Sequence, residues 1–144
     1  MKILPIFMAA VLLCAAGCSG DPKHPDTRHN REMFEHLTRT KLSSGIKEIY
    51  GFSHDFDIAP FYCLGFSATP EAVVRIVKNL GLKKHPESSS DTCIDRQMRN
   101  IPWWDKEERG RSELYSVNDT KMEMVFSLWH DPKTGKCQFL AFGY

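Results

Sequence analysis

Residues 61 to 81, FYCLGFSATPEAVVRIVKNLG, switch from one hydrophobic period to another with almost no chain between them. Tyr62, Leu64, Phe66 and Ala68 share one side of an alternating run, and Phe61, Cys63, Gly65 and Ser67 share the other, which is the period of a strand. Val73, Ile76, Val77 and Leu80 then recur at the spacing of one helix face. Thr69 stands at the N-cap, and Pro70 falls in the first turn, where a missing amide costs nothing. Glu71 suits the positive end of the helix dipole, and Gly81 supplies the stop. A strand joined to a helix by one capping residue leaves the helix a single course, back across its own sheet. The bulkier face, Tyr62, Leu64 and Phe66, is the one expected to meet it. The fold class that follows is α+β.

The C-terminus carries a second local instruction. KMEMVFSLWH and KCQFLAFGY read as strands joined by DPKTG, with Pro132 early in the turn and Gly135 at its end. A four-residue loop sets His130 opposite Cys137, Leu128 opposite Phe139 and Phe126 opposite Ala141, with Met122 and Met124 continuing that side. The other side holds Glu123, Val125, Ser127 and Trp129 across from Tyr144, Phe142, Leu140 and Gln138. ELYSV, before Asn118 and Asp119, reads as a third strand of the meander, and Ile46 to Phe52 as a further one despite Gly51. The expected architecture is an antiparallel sheet of about five strands with one main helix packed on one face. Met33, Phe34 and Leu37 fall on one face of a short helix.

Residues 83 to 112 have no clear period. HPESSSD is a loop, Ile94, Met98 and Ile101 fit a helical turn, and Asp105 with Glu108 matches an N-cap with an acid three residues on. Adjacent Trp103 and Trp104 cannot both face one way on a strand, so they are expected to plug the end of the core from a loop, with ligand stacking as the other reading.

Lys and Arg number 19 and Asp and Glu 18, and a chain without Lys2 is formally neutral. With no basic stripe, nucleic acid is not an expected partner. Neither P-loop, GxGxxG, GxSxG nor HExxH occurs in the sequence. His54, Asp55 and Asp57 have metal-ligand types, but neighbours on a strand point apart and a solvated turn explains them. His130 opposite Cys137 has the types of a base and a nucleophile without an orienting acid, so a structural pair is expected. No catalytic residue, metal site or cofactor is assigned.

Location is written at the other end. Lys2 precedes an apolar run from Ile3 to Ala16 that is too short to span a bilayer, the pattern of a secretory signal. Ala15-Ala16-Gly17-Cys18 resembles the lipobox of bacterial lipoproteins, with Ala15 where that family usually carries leucine. The resemblance covers about the first twenty residues. It implies cleavage before Cys18, acylation of Cys18, and loss of Cys14 with residues 1–17. Ser19, where that family uses aspartate for inner-membrane retention, implies the outer membrane facing the periplasm. Residues 18–30, polar with Gly20, Pro22 and Pro25, then read as a tether, and 31–144 as a single domain.

In an oxidising envelope Cys63, Cys93 and Cys137 allow one disulfide. Cys137 shares the core side of the hairpin, and the chain after the main helix is expected on that side, so Cys93–Cys137 is preferred over Cys63–Cys93. The other hairpin side, with Trp129, Leu140, Phe142 and Tyr144, is too apolar for solvent and too polar for a deep core. It is read either as a partner surface or as the seat of the segment around Met33, Phe34 and Leu37. The expected function is a membrane-anchored envelope lipoprotein acting as a non-enzymatic protein-binding or inhibitor/immunity-type module. The alternative is a small cysteine- or metal-dependent hydrolase of the envelope.

Overall fold

The structure is a computed structural model that describes residues 20–54 and 59–144. Cys18 and the lipobox, and Asp55 and Asp57 of the HDFD stretch, lie outside the described residues. In chain order the elements are α1 (Arg28–Thr38), β1 (Ile46–His54), β2 (Phe61–Ala68), α2 (Pro70–Leu80), β3 (Lys83–Lys84), α3 (Lys106–Arg111), β4 (Glu113–Asp119), β5 (Met124–His130) and β6 (Lys136–Gly143). The class is α+β. The antiparallel sheet has six strands among the described residues, ordered β1-β2-β6-β5-β4-β3, because two residues after α2 add an edge beyond β4.

The local signals act as their chemistry requires. The Thr69 hydroxyl accepts from the Ala72 amide at 3.3 Å, and Gly81 closes α2 in the left-handed region at φ 67°. Asp105 accepts from the Glu107 and Glu108 amides and starts the six-residue α3. The hairpin pairs His130 with Cys137, Leu128 with Phe139 and Phe126 with Ala141, the register set by its turn.

The sheet divides two cores. On the helix face, Leu64, Phe66, Phe126, Leu128, Cys137 and Phe139 pack against Val73, Ile76 and Leu80 of α2. Two helices rather than one lie there: Met33, Phe34 and Leu37 of α1 join the same cluster, and Phe34 meets Phe66 edge-on with centroids 5.0 Å apart. The segment around Met33 therefore does not cover the other side of the hairpin. That far face is covered by residues 85–112, with Ile94, Met98 and Trp104 packed on Phe61, Cys63, Leu114, Trp129 and Leu140. The chain after α2 thus crosses to the far face instead of staying on the helix face.

Of the expected tether 18–30, the described residues 20–30 are folded onto the domain. Asn30, buried inside α1, accepts from the Asp21 amide at 2.7 Å and donates to the carbonyls of Asp21, His24 and Ile49. Asp26 donates its amide to the Ile49 carbonyl, while its carboxylate accepts the amides of Glu48 and Ile49. Those bonds hold a bulge in β1, where the register shifts and Glu48 turns to φ 57°. Residues 20–30 belong to the domain and line the outer edge of β1.

Candidate functional site

The far face was the candidate partner surface, and most of it is internal. Trp129 is 3% exposed and Leu140 is buried beside it, so these two residues do not form an open face. What covers them is built around Arg109, whose side chain is wholly buried. Its Nε donates to the Ser90 carbonyl at 3.0 Å, Nη1 to Gln138 Oε1 at 2.8 Å, and Nη2 to Asp95 Oδ1 at 2.6 Å. The guanidinium lies 4.5 Å from the Trp104 ring centre and 5.5 Å from that of Trp129. Each indole N–H is also used: Trp104 donates to Asp95, and Trp129 to the Ser89 carbonyl. Burial opposes ionisation of Asp95, but the Thr92 hydroxyl and amide, the Trp104 indole and Arg109 hold its carboxyl below the usual range. A buried charge bonded through each of its three nitrogens and sealed from solvent is a fastening for the cover.

Beside this fastening lies a groove of about 520 Å³ with mixed chemistry. Gly65 sets it. Trp103 lies flat on Gly65, so close that a Cβ there would stand 2.5 Å from Trp103 Cε3. A glycine inside a strand therefore marks a close approach of a ring. Tyr50, the cross-strand neighbour of Gly65, stacks beside Trp103 with centroids 6.0 Å apart and planes 24° apart. The Trp103 N–H donates to the Pro22 carbonyl and ties the groove to the folded N-terminal segment. Lys23, Lys136 and Glu48 supply charge on its walls, and Glu48 accepts from the Ser67 hydroxyl. Glu108, deeper in, is raised by burial, while nearby Lys136 acts the other way. Of the adjacent tryptophans, Trp104 plugs the far core and Trp103 lines the groove.

The cysteines are placed apart. Cys137 lies in the helix-face core, Cys63 in the far-face core, and Cys93 is exposed next to Ile94 of the far-face cover. The sheet stands between Cys93 and Cys137, and all three thiols are free, so the Cys93–Cys137 pairing does not form. The reason is the crossing of the chain after α2. Burial drives the thiols of Cys63 and Cys137 well above their usual range, and burial lowers the imidazole of His130. The His130–Cys137 pair is thus a neutral thiol beside a neutral imidazole, the reverse of an activated nucleophile and base. Cys137 donates weakly to the Gly135 carbonyl at 3.7 Å. Among the described residues, no group of three or more His, Cys, Asp or Glu is placed to hold a metal ion.

What remains open lies at the end of the hairpin. Tyr144 is 58% exposed and Met122 is 52% exposed, with Phe142 and Val125 half-buried near them. Tyr144 is held in place: its amide donates to the Glu123 carbonyl at 3.2 Å, and its hydroxyl to Asn118 at 2.8 Å. Of the four residues expected to meet a partner, Trp129 and Leu140 are core, while Phe142 and Tyr144 reach the surface. No protein-family model, curated protein or solved structure matches this chain.

Proposed function

We propose that this chain is a lipid-anchored, non-enzymatic module of the cell envelope that binds a protein partner, of the inhibitor or immunity kind. The anchor is Cys18 and the membrane is the outer membrane, on its periplasmic side. Ala15-Ala16-Gly17-Cys18 and the Ser19 that follows support the anchor. One observation carries the binding reading. Tyr144 stays exposed at the open end of the hairpin, and Met122, whose sulfur accepts from Arg39, stays exposed in the turn beside it. A tyrosine fixed by two hydrogen bonds presents its ring at little entropic cost, which suits an interface anchor. The hydrolase reading draws no support from Cys63 or Cys137, both buried and protonated.

The test is affinity capture from solubilised membranes, followed by titration of the captured protein. Tyr144→Ala and Met122→Ala are expected to weaken binding by about 1–3 kcal/mol with an unchanged melting temperature. Equal affinity of both variants and wild type would remove this surface from the function.

A further inference from the structure

We infer that the domain stands on its membrane by the outer edge of β1, and that the groove between Tyr50 and Trp103 takes a zwitterionic phospholipid headgroup of that membrane. The inference rests on the acylation of Cys18 proposed above.

The first ground is the folding of residues 20–30 onto β1. Asn30, fully buried, holds Asp21 and His24 by their backbones. Gly20 is pressed on β1, where a Cβ on it would stand 2.5 Å from the Gly51 carbonyl carbon. Gly20, the first described residue, stands two residues after Cys18. Two residues span at most about 7 Å. The backbone of Cys18 therefore lies within that distance of Gly20, which rests on the middle of β1, an edge strand.

The second ground is what this edge presents. Pro22 and Lys23, just past the clamp, line the groove, and the Trp103 indole is bonded to the Pro22 carbonyl. Trp103 and Tyr50 carry an apolar body with a polar tip, the side chains favoured at headgroup depth. Lys23 and Lys136 are exposed ammonium groups suited to a phosphate, and Glu48 is an exposed carboxylate suited to an amine. The groove's other acids are engaged, Asp105 by the Glu107 and Glu108 amides and Glu108 by Gln138 and nearby Lys136, so Glu48 is its exposed carboxylate. A purely anionic headgroup leaves Glu48 unmatched, and a simple cation leaves Lys23 unmatched. A headgroup holding a phosphate and an amine uses both signs. Strands about 4.8 Å apart then carry β4 roughly 20 Å from the membrane-facing edge. Tyr144 follows β6, about 10 Å from that edge, and its hydroxyl reaches Asn118 on β4, on the side away from the membrane.

The test uses the processed full-length protein, extracted from membranes, with its acyl mass checked first. It is reconstituted in phosphatidylethanolamine vesicles doped with a headgroup-spin-labelled phospholipid. The emission of Trp103, taken as the difference between wild type and Trp103→Phe, is expected to be strongly quenched. Lys23→Glu with Lys136→Glu, both surface changes, is expected to abolish most of that quenching while the protein stays membrane-bound. Unquenched Trp103 in acylated protein would overturn the edge-down placement. Quenching unchanged by the double variant would overturn the headgroup site. A mass without acyl chains would remove the anchor, and with it both this inference and the reading it rests on.

Discussion

The guanidinium of Arg109 makes three hydrogen bonds, lies between two indoles and is sealed from solvent. Its charge is balanced mainly by Asp95 at 2.6 Å. Asp95→Asn keeps the shape and removes the balance. It is expected to cost about 2–3 kcal/mol, less than for a fully buried pair, since Arg109 is left buried and uncompensated while Asp95 itself is part-exposed. A fall in the urea midpoint at unchanged slope would register it. Replacing both partners, with Arg109→Met and Asp95→Leu, is expected to cost less than the sum of the singles. His130 makes a different prediction. Its Nε2 is buried without a partner, and burial lowers its pKa although Glu113 and Asp131 pull it up. The folded state thus binds fewer protons at this site than the unfolded chain does. The contribution is fully present above the unfolded value of 6.5 and is lost as pH falls toward the folded one. Between pH 7 and about 5 the melting temperature is expected to drop, and His130→Gln is expected to flatten that slope. Glu108, raised by burial, acts in the opposite sense, so the comparison with the variant isolates the histidine.

Elements differ in how they are specified. The β2–α2 junction and the C-terminal hairpin are legible because their instructions are local: a cap at Thr69, a stop at Gly81, a turn and an alternation that admit one register. Residues 85–112 are held by bonds that no period announces, from Trp129 to the Ser89 carbonyl and from Arg109 to the Ser90 carbonyl, across 40 and 19 positions. That is why the cover is read as loop, and why Cys93 is assigned to the wrong side of the sheet. The N-terminal segment misleads in the same way. Its polar composition fits a tether, yet Asn30 spends its amide on backbone 6, 9 and 19 residues away. The groove left one readable sign, Gly65 inside a strong strand. Gly65→Ala is expected to push Trp103 off the sheet and to destabilise the domain by about 1–3 kcal/mol. In a Trp103→Ala background the same change should be nearly neutral, because the atom it strikes is gone. Thermal denaturation of the four proteins closes that cycle.

At the scale of the whole molecule the sheet acts as a wall between two unequal layers. The helix face is closed by α1 and α2, each of eleven residues, α2 with Val73, Ile76 and Leu80 and α1 with Met33, Phe34 and Leu37 between buried Asn30 and Thr38. The far face is closed by turns, one short helix and a polar fastening. Local opening follows the density of apolar contacts and of backbone bonds within an element, so the far layer should open first. The three thiols report on this without added probes. Cys93 is exposed, Cys63 lies under the far layer, and Cys137 lies under the helices. In native buffer a thiol reagent is expected to label Cys93 at once. Cys63 should follow at the rate set by opening of residues 85–112, and Cys137 only with global unfolding. Mass spectrometry of peptides taken over a labelling time course separates the three. Asp95→Asn, which loosens the cover directly, should speed Cys63 more than Cys137. If Cys63 and Cys137 instead label together under every condition, the two layers unfold as one unit and the wall does not divide the stability of the fold.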